Sequence, residues 1–408
     1  MLDPYPFRLF ANPRAGVPGI VVLPAGGFRR ARDEITGWPG YAPTPLRDLP
    51  AIAALAGVAA VRLKDEAGRF GLGSFKALGG AYAVAQLLIT ELARRGVAPA
   101  ATSADLRAGR FAAATQALTV TCATEGNHGR AVAWGAQQFG CRCVIFMPQT
   151  ISQARADAIA LLGAEVRRLP GTYDDAVREA ARVAAAAADG WFVVADTSWP
   201  GYTAVPVDVM QGYRLMADEA AGQWEGAPPT HVFVPAGVGG AAAAVSVHLR
   251  TRITPPPALV VVEPDRAACL LASAELGMPT AIPGDLDTVM AGLACGEPSL
   301  LAWAELERAA AAFMAVPDEA AIACMKLLAG EGIVAGESGV AGLAGFLLAA
   351  GDPAGRETLG LRADSRVLLF STEGATDPGL YRRLVEGAAP GQEAAGHRPR
   401  RKSPPARR

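Results

Sequence analysis

From residue 118 to residue 371 the chain alternates two kinds of apolar pattern. Short runs rich in β-branched and aromatic residues recur at Leu118–Thr121, Cys143–Met147, Glu165–Leu169, Trp191–Ala195, His231–Pro235, Ala258–Val262 and Val367–Ser371. Longer, alanine-rich stretches lie between them at Arg130–Phe139, Ile151–Leu162, Asp174–Ala188 and Gly240–Arg252. Alanine has the best intrinsic helix propensity, and β-branched side chains lose rotamer freedom against a helical turn. The short runs therefore predict strands and the long ones helices. The run Ala309–Ala312 reads as helix filler on the same grounds. Strand and helix in this rhythm predict an α/β fold with mostly parallel sheets wrapped by helices. At 408 residues, two sheets suit the length better than one. The spacing places a small lobe at residues 83–200 and a large one at 1–82 plus 201–385, with two crossings between them.

Composition narrows the classes. Apolar residues make up 51% and charged residues 19%, which suits a large buried core. No apolar run approaches the roughly 18 residues of a membrane span, and no basic segment followed by an apolar stretch opens the chain. A cytoplasmic protein is expected. Six cysteines without a C-x-x-C pair argue against a disulfide framework. Only four histidines (His128, His231, His248, His397) are present, and Cys141 and Cys143 flank a single arginine, so no metal site is expected. The net charge is 38 − 39 = −1, yet Arg398–Arg408 holds six basic and no acidic residues. With Pro399, Pro404 and Pro405 in it, the segment 386–408 is expected to be a disordered basic tail. No aromatic or amphipathic pattern accompanies the charge, so a solvated extension is favoured over a nucleic-acid or membrane tether.

Four segments carry candidate chemistry. The first runs from Arg69 to Gly80 and contains Ser74-Phe75-Lys76. A lone lysine is ordinarily a solvated surface residue. Lys76, however, sits beside Phe75, among glycines and just before the apolar helix Ala81–Leu92. Desolvation there would lower its pKa and free the amine for a Schiff base. The second, Thr124-Glu125-Gly126-Asn127-His128-Gly129, joins a strand to a helix, where free N–H groups suit a carboxylate or phosphate. An ordinary turn with an N-cap explains it equally well. The third, Pro235-Ala236-Gly237-Val238-Gly239-Gly240, suits an anion held on backbone amides. Gly237, Gly239 and Ala242 also match the dinucleotide pattern G-x-G-x-x-A, with Glu263 ending the next strand, so a nicotinamide-dependent dehydrogenase stays open on this segment. The fourth, Ser371-Thr372-Glu373-Gly374-Ala375-Thr376-Asp377, places hydroxyls just past a strand. Alone it favours a polar turn.

Taken in order, Ser-Phe-Lys, Gly-Asn-His, a glycine-rich turn and a Ser/Thr-Glu-Gly turn resemble the fold-type II enzymes that use pyridoxal 5′-phosphate (PLP), the tryptophan synthase β-like fold. That family includes serine and threonine dehydratases, threonine synthase and diaminopropionate ammonia-lyase. The resemblance spans about Arg69 to Tyr381 and accounts for the lysine and Asn-His segments, which a dehydrogenase leaves unexplained. It implies that Lys76 attaches PLP, that Gly237, Val238, Gly239 and Gly240 cradle its phosphate, and that Asn127 lies near its phenolic oxygen. Thr372, rather than Ser371, would contact the pyridine nitrogen.

Further stretches are similar to the diaminopropionate ammonia-lyase branch. They are Arg69-Phe70-Gly71-Leu72 ahead of the lysine, Asp196-Thr197-Ser198-Trp199-Pro200-Gly201-Tyr202 leading to Met210-Gln211-Gly212-Tyr213, and Ser371 to Pro378. Cys269 and Cys295 resemble a cysteine pair of that branch, which a reducing cytoplasm would disfavour bridging. The implied reaction is β-elimination from 2,3-diaminopropionate to pyruvate and ammonia, in a homodimer. A serine or threonine dehydratase is the alternative, and a PLP carrier without catalysis a more distant one. Lys76 and Glu125 would take the α-proton from opposite faces, Asp196 would hold the β-ammonium, and the backbone around Thr124, Gly126 and His128 would bind the substrate carboxylate. Glu125 departs from the branch, which carries aspartate there; its stem is one methylene longer, leaving substrate and stereochemistry open.

Overall fold

The computed structural model describes residues 3–16, 22–187 and 189–387. Their strands are β1 (Arg8–Ala11), β2 (Leu46–Asp48), β3 (Ala60–Asp65), β4 (Thr119–Ala123), β5 (Arg142–Pro148), β6 (Glu165–Leu169), β7 (Trp191–Val193), β8 (His231–Pro235), β9 (Ala258–Pro264), β10 (Ala310–Val316) and β11 (Arg366–Ser371). One sheet has four strands in the order β6-β5-β4-β7, all parallel. The other has seven in the order β1-β10-β9-β8-β11-β3-β2, parallel except for the antiparallel edges β1 and β2. Parallel neighbours require crossovers, and the crossover helices cover both faces. That is why β4 and β8 are buried at every residue.

Strands β6 and β8 coincide with the sequence pattern, and the other expected strands differ only at their ends. The alanine run at 309–312 is a correction. Ala309 ends the helix Leu300–Ala309, and Ala310–Ala312 open β10. Pairing with β9 on one side and β1 on the other, together with burial of Phe313, Met314 and Val316, outweighs alanine's helical preference. The expected helix over 151–162 shortens to Gln153–Ala160, where the Ser152 side chain accepts the Arg155 N–H. From residue 388 onward the expected basic tail lies outside the described residues. Among the described residues, no helix is long and apolar enough to cross a membrane.

Helix Ala77–Arg94 sits between helices Asn127–Phe139 and Ala204–Gln223, and most of its residues are buried. The second crossing is close enough to exclude side chains. A Cβ on Gly212 would lie 1.9 Å from the Leu78 carbonyl oxygen, and one on Gly79 would lie 2.4 Å from the Tyr213 ring. Hydrogen alone fits at both positions. This contact fixes the first turn of the helix, and with it Lys76 at the helix start.

Candidate active site

Both parallel sheets present their carboxyl ends to one cavity of about 800 Å³, counted to its open mouth. Ligands in open α/β sheets bind there because helix N-termini and loop amides converge. Each strand of the small sheet contributes. The Thr124–His128 turn follows β4, Arg155 follows β5, Tyr173 follows β6 and Asp196 follows β7. From the large sheet come Lys76 beyond β3, the Gly237–Gly240 turn beyond β8, and Thr372 with Glu373 beyond β11. Every residue assigned a site role in the sequence thus lines a single cavity. Ser371 does not line it; its hydroxyl donates to the Glu373 carbonyl at 3.4 Å. Glu263, the acid required by the dinucleotide pattern, is also absent from the lining. Its buried carboxyl group accepts the N–H groups of Leu270 and Leu271, both at 2.8 Å, which makes it the cap of a helix rather than a ribose ligand.

The lysine segment is held at both ends. Arg69, fully buried, donates to Glu66 and Glu219, and Phe75 packs on Tyr213 with ring centroids 4.6 Å apart. The Lys76 ammonium lies over the Phe75 and Tyr213 rings and meets Asp196 Oδ2 at 2.5 Å. Here the structure corrects the sequence expectation. Burial does push the amine downward, but the neighbouring Asp196 charge outweighs it and holds Lys76 above its ordinary value. Burial likewise opposes ionisation of Asp196, yet His128, when it is protonated, and Lys76 hold its carboxyl well below the usual carboxylate range. The second Asp196 oxygen accepts the Tyr173 hydroxyl at 3.2 Å. Asp196 is thus an ionised acid seated between a cation and a phenol.

In the Thr124–His128 turn, the Thr124 hydroxyl accepts the N–H groups of Gly126 and Gly129, each at 2.9 Å, and the Thr124 N–H donates to Phe146. The N–H groups of Glu125, Asn127 and His128 take no partner among the described residues, and all three residues line the cavity. Glu125 retains some exposure to that space, but the surrounding protein pushes its carboxyl well above its ordinary value, opposed by Arg155. His128 Nε2 is 2.7 Å from the Val194 carbonyl, which can only accept, so that nitrogen carries the proton. Burial lowers the His128 pKa, leaving a neutral ring with Nδ1 3.8 Å from Asp196. Asn127 donates one amide hydrogen to Glu373, whose other oxygen accepts the Ser338 N–H at 3.0 Å.

The residues present fit a phosphorylated cofactor. Helix Gly240–Arg252 begins with no side-chain cap and no acid in its first turn, so its positive end and free N–H groups open into the cavity. The approach to it tolerates only glycine. Gly239 has φ +96°, and a Cβ on Gly237 would stand 2.9 Å from Cys295 Sγ. Cys269 and Cys295 are both free and buried, with Cys269 Sγ 3.8 Å from the Gly237 carbonyl, so the two thiols flank the turn unbridged. Arg155, Tyr173 and Glu373 are the site residues the sequence reading left without a role.

The family model described as pyridoxal-phosphate dependent enzyme matches residues 37–370. Diaminopropionate ammonia-lyase of Escherichia coli (strain K12) is 42% identical over 362 residues, covering 85% of this chain and 88% of that protein. The crystal structure of holo diaminopropionate ammonia lyase from Escherichia coli superposes with a TM-score of 0.85 at 38% identity, covering 94% of this chain and 97% of that one. The same enzyme in complex with an aminoacrylate-PLP azomethine reaction intermediate matches with a TM-score of 0.83 at 38% identity, over 94% and 98% of the two chains. Motif order, cavity and these likenesses agree: the chain belongs to the pyridoxal-phosphate dependent enzyme family, in its fold-type II architecture.

Proposed function

We propose that this chain is a PLP-dependent ammonia-lyase that eliminates the β-amine of 2,3-diaminopropionate, yielding pyruvate and ammonia. The carrying observation is Asp196, an ionised, buried carboxylate that already holds an ammonium at 2.5 Å in a cavity with a glycine cradle. A substrate leaving group that is itself an ammonium suits such an acid; a neutral hydroxyl uses it less. This favours the diamine over serine or threonine.

PLP, when bound, supplies an electron sink conjugated with the substrate α-carbon. Lys76 would be its attachment, Gly237, Val238, Gly239 and Gly240 would hold its phosphate, Asn127 would serve its phenolic oxygen, and Thr372 its pyridine nitrogen. The free backbone amides of the Thr124–His128 turn bind the substrate carboxylate. The Lys76 amine, when free, would accept the α-proton from one face. Glu125 accepts it from the other, and its raised pKa makes it the stronger base once ionised. Asp196, steadied by Tyr173, holds the β-ammonium as the carbon–nitrogen bond breaks. In this reading the segments 1–82 and 201–385 form the large cofactor lobe and 83–200 the small lobe. A homodimer in the cytoplasm completes the proposal on resemblance alone.

The test is ammonia and pyruvate release from diaminopropionate, D- and L-serine and threonine, together with the visible spectrum. Diaminopropionate should be preferred, with two ammonia per pyruvate, and Lys76→Ala should abolish near-visible absorbance. Activity confined to threonine would end the assignment.

A further inference from the structure

Outside the groups that meet substrate, one buried charged cluster ties the Thr124–His128 turn to the far side of the cavity. Arg155 belongs to the small-sheet side, on helix Gln153–Ala160, and Glu337 and Glu373 belong to loops beside β11. Arg155 Nη2 pairs with Glu337 Oε1, and both side chains are almost wholly buried. Arg155 Nη1 donates to the carbonyl oxygen of Glu125 at 3.3 Å. Its aliphatic stem lies against Gly126, where φ is +143° and a Cβ would come within 3.2 Å of Arg155 Cδ. The guanidinium therefore grips the peptide that carries Glu125, without touching the Glu125 carboxyl.

From this geometry we propose that Arg155, through its ion pair with Glu337, is a positioning residue that sets where the Glu125 carboxyl stands against substrate, and so governs turnover of one enantiomer of the diamino acid and not the other. The proposal rests on the two-faced reading above, in which Lys76 and Glu125 serve opposite faces.

The selectivity follows from how the two bases are anchored. Lys76 is fixed by the Gly79–Tyr213 and Gly212–Leu78 contacts and by Asp196, none of which involves Arg155. Glu125 is fixed through its backbone. Its own turn is stapled by the Thr124 hydroxyl on one side and by Arg155 on the other. Glu337 cannot be replaced in this task by its neighbour, because Glu373 is occupied by Asn127 and by the Ser338 N–H. Burial and the adjacent Glu373 charge push Glu337 above its ordinary value, and the Arg155 guanidinium opposes them. A rigid fork is required: lysine supplies the charge but cannot hold two acceptors in one plane.

The experiment uses the holoenzymes of the parent chain and of Glu125→Gln, Arg155→Lys and Glu337→Gln, each assayed for kcat and KM on D- and L-diaminopropionate. Deuterium uptake is followed in peptides covering residues 124–130 and 77–94. Glu125→Gln should suppress one enantiomer, which identifies the face it serves. Arg155→Lys and Glu337→Gln should then lower kcat for that same enantiomer by on the order of 100-fold, the scale of a misplacement of about 1 Å. They should leave kcat for the other enantiomer within about threefold, while any rise in KM from loosening the carboxylate-binding amides is shared by both enantiomers, and they should raise uptake in 124–130 alone. If Glu125→Gln separates the enantiomers while Arg155→Lys and Glu337→Gln lower both alike, or neither, the positioning role is overturned. If Glu125→Gln itself fails to separate them, the two-faced reading falls, and this proposal with it.

Discussion

Replacing Asp196 with asparagine preserves its shape and removes its charge, which isolates what the charge does for the leaving group. The carboxylate now meets an ammonium at 2.5 Å and a phenol at 3.2 Å. A substrate β-ammonium at about 3 Å would be attracted by roughly 332/(20 × 3), or about 5.5 kcal/mol, at an effective dielectric near 20. Desolvation of both ions returns much of this, and hydrogen bonds to charged groups net about 1.5–3 kcal/mol, against about 0.5–1.5 for neutral ones. The difference between a cationic and a neutral leaving group is therefore on the order of 1.4 kcal/mol, a factor of about ten. Asp196→Asn also disturbs Lys76, but that loss is common to every amino-acid substrate and cancels in a ratio. The assay is kcat/KM for pyruvate formation from diaminopropionate and from serine, in both proteins. The ratio should fall about tenfold in the variant. A ratio unchanged within threefold, with both activities falling together, would refute a role for Asp196 in holding the β-amine and leave it only the task of pairing Lys76.

Gly212→Ala should destabilise the protein by about 3 kcal/mol or more, because its methyl would lie 1.9 Å from the Leu78 carbonyl oxygen and neither backbone can yield cheaply; thermal unfolding checks this, and an unchanged midpoint would contradict the tight crossing. Burial raises Glu125, and a base must be ionised to act, so kcat/KM for the enantiomer it serves should climb with pH along a limb above the ordinary carboxylate range. The same profile for the other enantiomer should lack that limb. Glu263 is pushed up to about 8 by burial, so the folded state binds its proton more tightly than the unfolded chain does. Its contribution is complete below about pH 4.5, the ordinary value, and is lost as pH rises through 8; Glu263→Gln should flatten the fall in unfolding midpoint across that window.

How far the fold could be read beforehand depended on how each strand is buried. β4, β5, β8, β9 and β11 lie inside parallel ladders, and burial on both faces leaves them mostly apolar, with no alternation of apolar and polar positions. β2 has three residues at a sheet edge, and β1 has four, too short to carry a pattern. β3 conceals itself differently. Its Lys64 is wholly buried, with the ammonium donating to the Thr44 carbonyl at 2.6 Å and pairing with Glu219 at 2.7 Å, so a core strand reads as charged. β10 begins in alanines whose local preference points the other way and is overruled by two neighbouring strands.

The site divides along the same line. Residues whose task depends on their own covalent neighbours stood out, since a glycine turn after a strand and a lysine among glycines are local patterns. Arg155 and Tyr173 enter the cavity from the first turns of ordinary helices with no such mark, and only the side-by-side strands β5, β4 and β6 bring them together. Glu373 was visible within its motif, but its partner Asn127 is 246 residues away. The reversal at Lys76 has the same origin. Burial of that amine followed from Phe75 and the helix behind it, and burial alone lowers a lysine; the carboxylate that raises it again is 120 residues along the chain. Local sequence thus indicates which groups are removed from water, and the charge each then carries is decided by partners that only the crossing of two sheets supplies. In a catalytic cavity that second step determines which group gives a proton and which takes it, so assignments of acid and base are sounder when drawn from Asp196, His128 and Tyr173 around Lys76 than from the lysine motif by itself.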